Sequence, residues 1–213
     1  MLSLDLLSRC ELDSYYDDIG RVYKTPEGDF PSVTTVIGQA VDKSHLEEWR
    51  DRIGHIKADL ETERASRFGS KLHDVLERYL LNEDYSQAHP IEKMRFESVK
   101  RKIEPCIQKV YGAEFPLYSG KLRTAGRADG IVCWNGVPTI LDLKTTKKWK
   151  REDWILHYFI QAATYGWMTN DTYHLNISKI VIVFSTEDMT CYYYEKDISE
   201  YIDQVRRVFI ENR

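Results

Sequence analysis

The dipeptide Asn135-Gly136, set between the runs "LRTAGRADGIVCW" and "VPTILDLKTT", constrains the fold of this chain more than any other feature. Asn and Gly accept the positive φ angles that a two-residue hairpin turn requires, so the two runs read as an antiparallel pair. Register follows from the turn. With Asn135 and Gly136 as the loop, Val137 pairs with Trp134, and Asp129 of "GRADG" falls directly opposite Asp142 of "TILDLKTT". Cross-strand partners share a face and sit about 5 Å apart at Cβ. Two opposed carboxylates repel each other unless a cation lies between them. A hard divalent ion such as Mg²⁺ or Mn²⁺ is the natural one, because it prefers oxygen ligands.

The period of a strand places Ile140, Asp142 and Lys144 on one face. In a metal-dependent hydrolase the Lys144 ammonium could hold a phosphate oxygen or orient a metal-bound water. The metal would lower the pKa of that water and stabilise charge in the transition state. A surface ion pair is the plainer alternative. With 15 lysines and 34 acids in 213 residues, chance alone supplies about two acid-x-Lys spacings, so the spacing decides nothing by itself.

A chain that is 42% hydrophobic and 12% aromatic can bury one sizeable core. The expected organisation is a single compact α/β domain, with residues 1–66 as N-terminal strands and a helical arm and residues 67–213 as the core. Short strands are expected from Tyr15 to about Val36, around a turn at Pro26 to Gly28. Leu46, Trp49, Ile53, Ile56 and Leu60 recur at helical spacing, on either a core-packing helix or an arm that contacts a ligand, core packing being favoured. A second helix covers 67–81, and Pro90 starts a third whose apolar candidates run from Ile91 to Ile107 and Val110, with Pro105 expected to kink or break it near 104. Beyond Gly112 three strands follow in succession. A long aromatic helix capped near Asp153, a buried strand "SKIVIVFS", a strand "TCYYYE" and a last helix from Asp197 complete the chain. From residue 67 the core therefore reads as α-β-β-β-α-β.

No apolar run approaches the roughly 18 residues of a membrane span, and the N-terminus resembles neither a secretion signal nor a mitochondrial presequence. Cys10, Cys106, Cys133 and Cys191 are scattered without a C-x-x-C pair, which points to reduced thiols and away from a zinc site or an iron–sulfur cluster. A cytoplasmic protein without membrane contact is expected. The formal charge of −4 excludes an indiscriminate polycation coat but not a local basic groove. "KTTKKWKRED" is one such patch, with Lys147, Lys148 and Lys150 around Trp149, and reads as either a solvated loop or a nucleic-acid contact.

Taken in order, "GSKLH" (Gly69 to His73), Glu114 in "AEFPLYS", "GRADG", "DLK" and "QAATY" (Gln161 to Tyr165) resemble the motifs of PD-(D/E)xK nucleases of the RecB-like exonuclease branch. "FPSVTTVIG" is similar to a segment of the subgroup that includes the mitochondrial genome maintenance exonuclease and phage exonucleases. The resemblance covers roughly residues 30–185. It implies a restriction-endonuclease-like core and a DNA exonuclease using one or two Mg²⁺ or Mn²⁺ ions. By position it implies His73, Asp129, Asp142 and the main-chain carbonyl of Leu143 as metal ligands and Lys144 as the catalytic lysine. Gln161 and Tyr165 would hold the lysine or the DNA backbone, and Glu114 would be a ligand or a water partner for a second metal. Ser32, Thr34 and Thr35 would donate to phosphates. From the residues alone, His73 reads as a satisfied core histidine rather than a ligand. An arm over the site would favour single strands, with Trp49 or Trp149 stacking on unpaired bases. Other readings of the same residues are a non-catalytic DNA-binding module, a subunit dependent on a strand-annealing recombination protein, and a structure-specific endonuclease.

Overall fold

The computed structural model describes residues 1–40 and 44–211; within the first turns after the gap, the side chains of Leu46 and Trp49 lie outside the described residues. The chain is mixed α/β, with six strands in one mixed sheet between two helical layers. A short strand β1 (Ser3–Leu4) precedes a separate three-stranded antiparallel sheet of β2 (Ser14–Tyr16), β3 (Arg21–Thr25) and β4 (Gly28–Pro31). Helices α1 (Val33–Ala40), α2 (Ser44–Ile53), α3 (His55–Leu80) and α4 (Pro90–Ile103) follow. Next come β5 (Ile107–Ser119), β6 (Thr124–Trp134), β7 (Val137–Thr146), α5 (Leu156–Tyr173), β8 (Lys179–Thr186), β9 (Cys191–Asp197) and α6 (Ile202–Arg206). The main sheet runs β1-β5-β6-β7-β8-β9. Strands β5, β6 and β7 are an antiparallel meander, β8 returns parallel to β7, and β9 closes the edge antiparallel to β8.

One layer packs Phe159, Ile160 and Ala163 of α5 against Ile131, Ile140 and Ile182 of the sheet. The opposite layer packs Leu72, Val75, Leu76 and Leu80 of α3, with Phe96 and Val99 of α4, against Val132, Leu141, Leu143 and Val181. Adjacent residues of β7 and β8 thus enter different cores, as a strand covered on both faces must. No described helix is long and apolar enough to cross a membrane.

Several local expectations change. The β-branched run "VTTVI" is helix α1 and not strand, because Ser32 caps it: its Oγ accepts the Thr35 N–H at 3.0 Å. The arm helix and the 67–81 helix are not two elements divided at residue 66. Only Gly54, at φ 86, interrupts the helical run, and α3 continues from His55 through His73 to Leu80. Core packing does not hold for the described end of the stripe, since Ile56 and Leu60 are 81% and 61% exposed. Pro90 does open α4, and the helix breaks into a tight turn at Glu104–Cys106. Ile107 and Val110 therefore belong to β5, and that strand starts before Gly112. Asp153 caps nothing; it pairs with Arg151, and Ile155 precedes α5 without a side-chain cap.

Candidate active site

Three strands align three carboxylates. The β5–β6 register pairs Ala113 with Gly130 and Phe115 with Ala128, which puts Glu114 opposite Asp129. The β6–β7 register runs from Trp134–Val137 to Gly130–Leu141, as the turn dictates, and stops one position short of Asp129 and Asp142. There the Asp129 carboxylate takes over from the ladder, its Oδ2 accepting the Leu143 N–H at 2.7 Å. Glu114 has φ 42, a left-handed backbone for a non-glycine residue. Its effect is to invert the pleat: Ala113 packs with the α3–α4 layer, whereas Phe115 and Leu117 pack with the α5 layer. Backbone strain of this kind costs on the order of 1–3 kcal/mol and concentrates at functional sites.

His73 reaches this row from α3, whose neighbouring Leu72, Val75 and Leu76 seat the helix on the sheet. Its Nδ1 lies 3.3 Å from Asp129 Oδ1 and 3.6 Å from Glu114 Oε1. Burial alone would push the imidazole down, but Asp129, with Glu114 adding to it, lifts its pKa to about 10. Burial likewise works to raise the Asp129 pKa, and His73 and Lys144 overcome it and hold the carboxyl below its usual range. One nitrogen of His73 and one oxygen each of Glu114 and Asp129 lie within 4.8 Å of one another. Two carboxylates and an imidazole at this spacing could hold a metal ion.

Asp142 stands beside that group rather than in it. It is fully buried, and its Oδ1 accepts from Lys144 Nζ at 3.0 Å and from Gln161 Nε2 at 3.4 Å. Oδ2, also buried, lies 2.8 Å from the same ammonium in an ion pair. Burial raises the Asp142 pKa to about 6 against the pull of Lys144. Burial works to lower Lys144, and Asp142 and Asp129 outweigh it and keep the ammonium charged.

Helix α5 closes the other side. Gln161 Oε1 accepts from Lys144 Nζ at 3.4 Å, so the amide bridges the acid and the lysine. Tyr165, one turn on, is buried, and a Cβ on Gly126 would meet its Oη at 2.7 Å. It therefore packs α5 against β6, next to Gln161 and close to Asp142 and Asp129. Two residues escaped the sequence reading. Tyr158 places its ring 5.0 Å from Lys144 Nζ, and its position three before Gln161, on the same helical face, is the signal that could have found it. Arg127 lines the cleft of about 480 Å³ with Gly69, His73, Glu114, Lys144 and Thr145, and its place in the "GRADG" motif two before Asp129 is the signal that could have found it.

The expected DNA contacts fare unequally. Ser32 is buried, and its Oγ lies 2.9 and 2.8 Å from the Thr34 and Thr35 hydroxyls, a network spent on capping α1. Lys147 bonds Glu61 of α3 at 2.5 Å, which ties the basic loop to the arm. The loop itself is pinned by β9: Tyr192 Oη accepts the Lys150 N–H at 2.8 Å, and Tyr194 Oη donates to the Lys150 carbonyl at 2.8 Å. The Lys148 carbonyl accepts from Thr146 Oγ1 at 2.9 Å, and Trp149 is 59% exposed. Trp49 sits on α2, and its side chain lies outside the described residues.

No family model matches the chain, and no curated protein matches it. Among solved structures it is similar to the crystal structure of SSO0001, at 15% identity and a TM-score of 0.41, over 85% of this chain and 76% of that one.

Proposed function

We propose that this chain is a divalent-metal-dependent DNA exonuclease of the PD-(D/E)xK type, with a restriction-endonuclease-like core, that hydrolyses phosphodiesters at single-stranded ends. The observation that carries the reading is the convergence of His73, Glu114, Asp129, Asp142 and Lys144 where the β6–β7 ladder stops, with Gln161 bridging the last two. The element order α4-β5-β6-β7-α5-β8 supports the core assignment.

His73, Glu114 and Asp129 would hold the ion, with Asp142 Oδ2 and the Leu143 carbonyl beside them. When bound, it supplies a water of lowered pKa and positive charge against the developing phosphorane. The protein's own groups do the rest. Asp142 and Gln161 fix the Lys144 ammonium at the end of β7, where it can hold a phosphate oxygen, and the buried setting strengthens that attraction. Arg127 adds a second cation at the cleft. Unpaired bases carry apolar faces that a duplex hides, and the exposed Ile56 and Leu60 of α3 offer apolar surface on the helix that leads into the cleft.

The test is cleavage of end-labelled single and double strands with and without Mg²⁺ or Mn²⁺. Metal-dependent loss of label from single strands, abolished by Asp142→Ala and by Lys144→Ala, is the expected result. Full activity in both variants would overturn the reading.

A further inference from the structure

Beside the cleft lies a second cavity of about 450 Å³, between α3, α4 and the end of β7; Ala65 and Thr145 line both. Arg95 of α4 forms part of its wall and is only 6% exposed. Its Nε donates to the Thr186 carbonyl at 3.0 Å, and its guanidinium carbon lies 4.2 Å from the centre of the Phe68 ring. Its Nη2 is buried and has no hydrogen-bond partner. Arginine cannot shed its charge, so a buried guanidinium with a free donor is a costly arrangement unless something fills it. Burial draws its pKa down, and the nearby Glu187 and Asp188 do not fully offset that; no carboxylate pairs with it among the described residues.

The rest of the cavity favours an anion. Arg64, Arg95 and Lys147 face two carboxylates, and one of these, Glu61, is already held by Lys147. Phe68, Ile91 and Met189 add apolar wall on which a sugar or base can rest. A planar guanidinium with an unused donor matches phosphate oxygens better than it matches a neutral ligand.

We infer that this cavity is a phosphate-binding subsite for the DNA strand, anchored by Arg95 and continuous with the cleft that holds His73 and Lys144. The identity of the strand rests on the nuclease reading. A terminal phosphomonoester and an internal phosphodiester share the chemistry, and the experiment separates them.

Two variants address it. Arg95→Gln removes the charge but also the Thr186 and Phe68 contacts, so its fold is checked by thermal melting. Ile91→Glu leaves Arg95 in place. Ile91 is half exposed, in the first turn of α4, where a carboxylate suits the helix dipole, and one turn before Arg95, where it can occupy the free donor. Binding of internally labelled short oligothymidylates with a 5′-phosphate, a 3′-phosphate or neither is measured by anisotropy in EDTA, so that no cleavage intervenes.

Ile91→Glu, melting no lower than wild type, is expected to weaken binding about tenfold, the worth of one charged hydrogen-bond set. Weakening confined to a terminally phosphorylated strand assigns the monoester; equal weakening of all three assigns the internal diester. Wild-type affinity for every strand in Ile91→Glu overturns the subsite, whatever Arg95→Gln does. In that case metal-dependent cleavage by the wild type leaves the nuclease reading standing. A wild type that neither binds nor cleaves any strand overturns both.

Discussion

Helix α3 has two halves with the same periodicity and opposite surroundings. In the C-terminal half Leu72, Val75, Leu76 and Leu80 are at most 2% exposed, packed against the sheet and α4. In the N-terminal half Ile56 and Leu60 recur at the same spacing and stand in solvent, with only Ala58 of that stretch fully buried. The difference teaches that a 3.6-residue apolar repeat defines a face and says nothing of what covers it. Where the face is covered, the helix is fixed well enough to hold His73 within 3.3 Å of Asp129. Where it is not, apolar surface remains for a ligand.

That contrast can be broken experimentally. The largest effect is chemical: Lys144→Ala is expected to lower metal-dependent cleavage about 10²–10³-fold, the scale of removing one transition-state contact, while Leu60→Ser leaves the cleavage of a saturating short substrate unchanged. Single-turnover rates compare the two. Stability comes next. Leu76→Ala should cost about 2–5 kcal/mol in denaturant unfolding, as a buried Leu truncation does, whereas Ile56→Ala stays within about 0.5 kcal/mol. If the two truncations cost the same, the halves are not different in the way described.

Next to Gln161, Gly126→Ala forces a Cβ to within 2.7 Å of Tyr165 Oη and should cost about 1–3 kcal/mol, with a drop in cleavage from displacement of α5. A Tyr165→Phe background should restore little of the stability, because the ring Cε1 would still lie 2.8 Å from the new Cβ. Smallest is Ser32→Ala, which loses the α1 cap for about 1 kcal/mol and leaves strand affinity unchanged, because its hydroxyl is buried in the cap. A loss of DNA binding larger than the loss of stability would return Ser32 to a phosphate-contacting role.

Legibility followed range. The Asn135-Gly136 turn predicted the β6–β7 register residue for residue, because both positive φ angles, 49 and 85, fall on residues that tolerate them. Pro90 predicted the start of α4 for a similarly local reason. "VTTVI" misled because β-branched residues favour strands, while the cap that makes it a helix is one hydroxyl contributed by Ser32. Glu114 was nameable from the family resemblance alone; its place opposite Asp129 needed the β5–β6 register, which has no tight turn signal and shifts twice near residues 107–112. Arg95 gave no signal, since its partners Thr186 and Phe68 lie 91 and 27 positions away.

By itself, then, the amino-acid order determined the hairpin and its register as far as Gly130 and Leu141, and the start of α4 at Pro90, all consequences of backbone rules acting over a few residues. The tertiary structure decided which charges meet and which are buried. Desolvation and Coulomb forces depend on what is packed around a group, so the raised pKa of Asp142, the His73–Asp129–Glu114 cluster and the unpaired Arg95 donor exist only once α3, α4 and α5 close on the sheet.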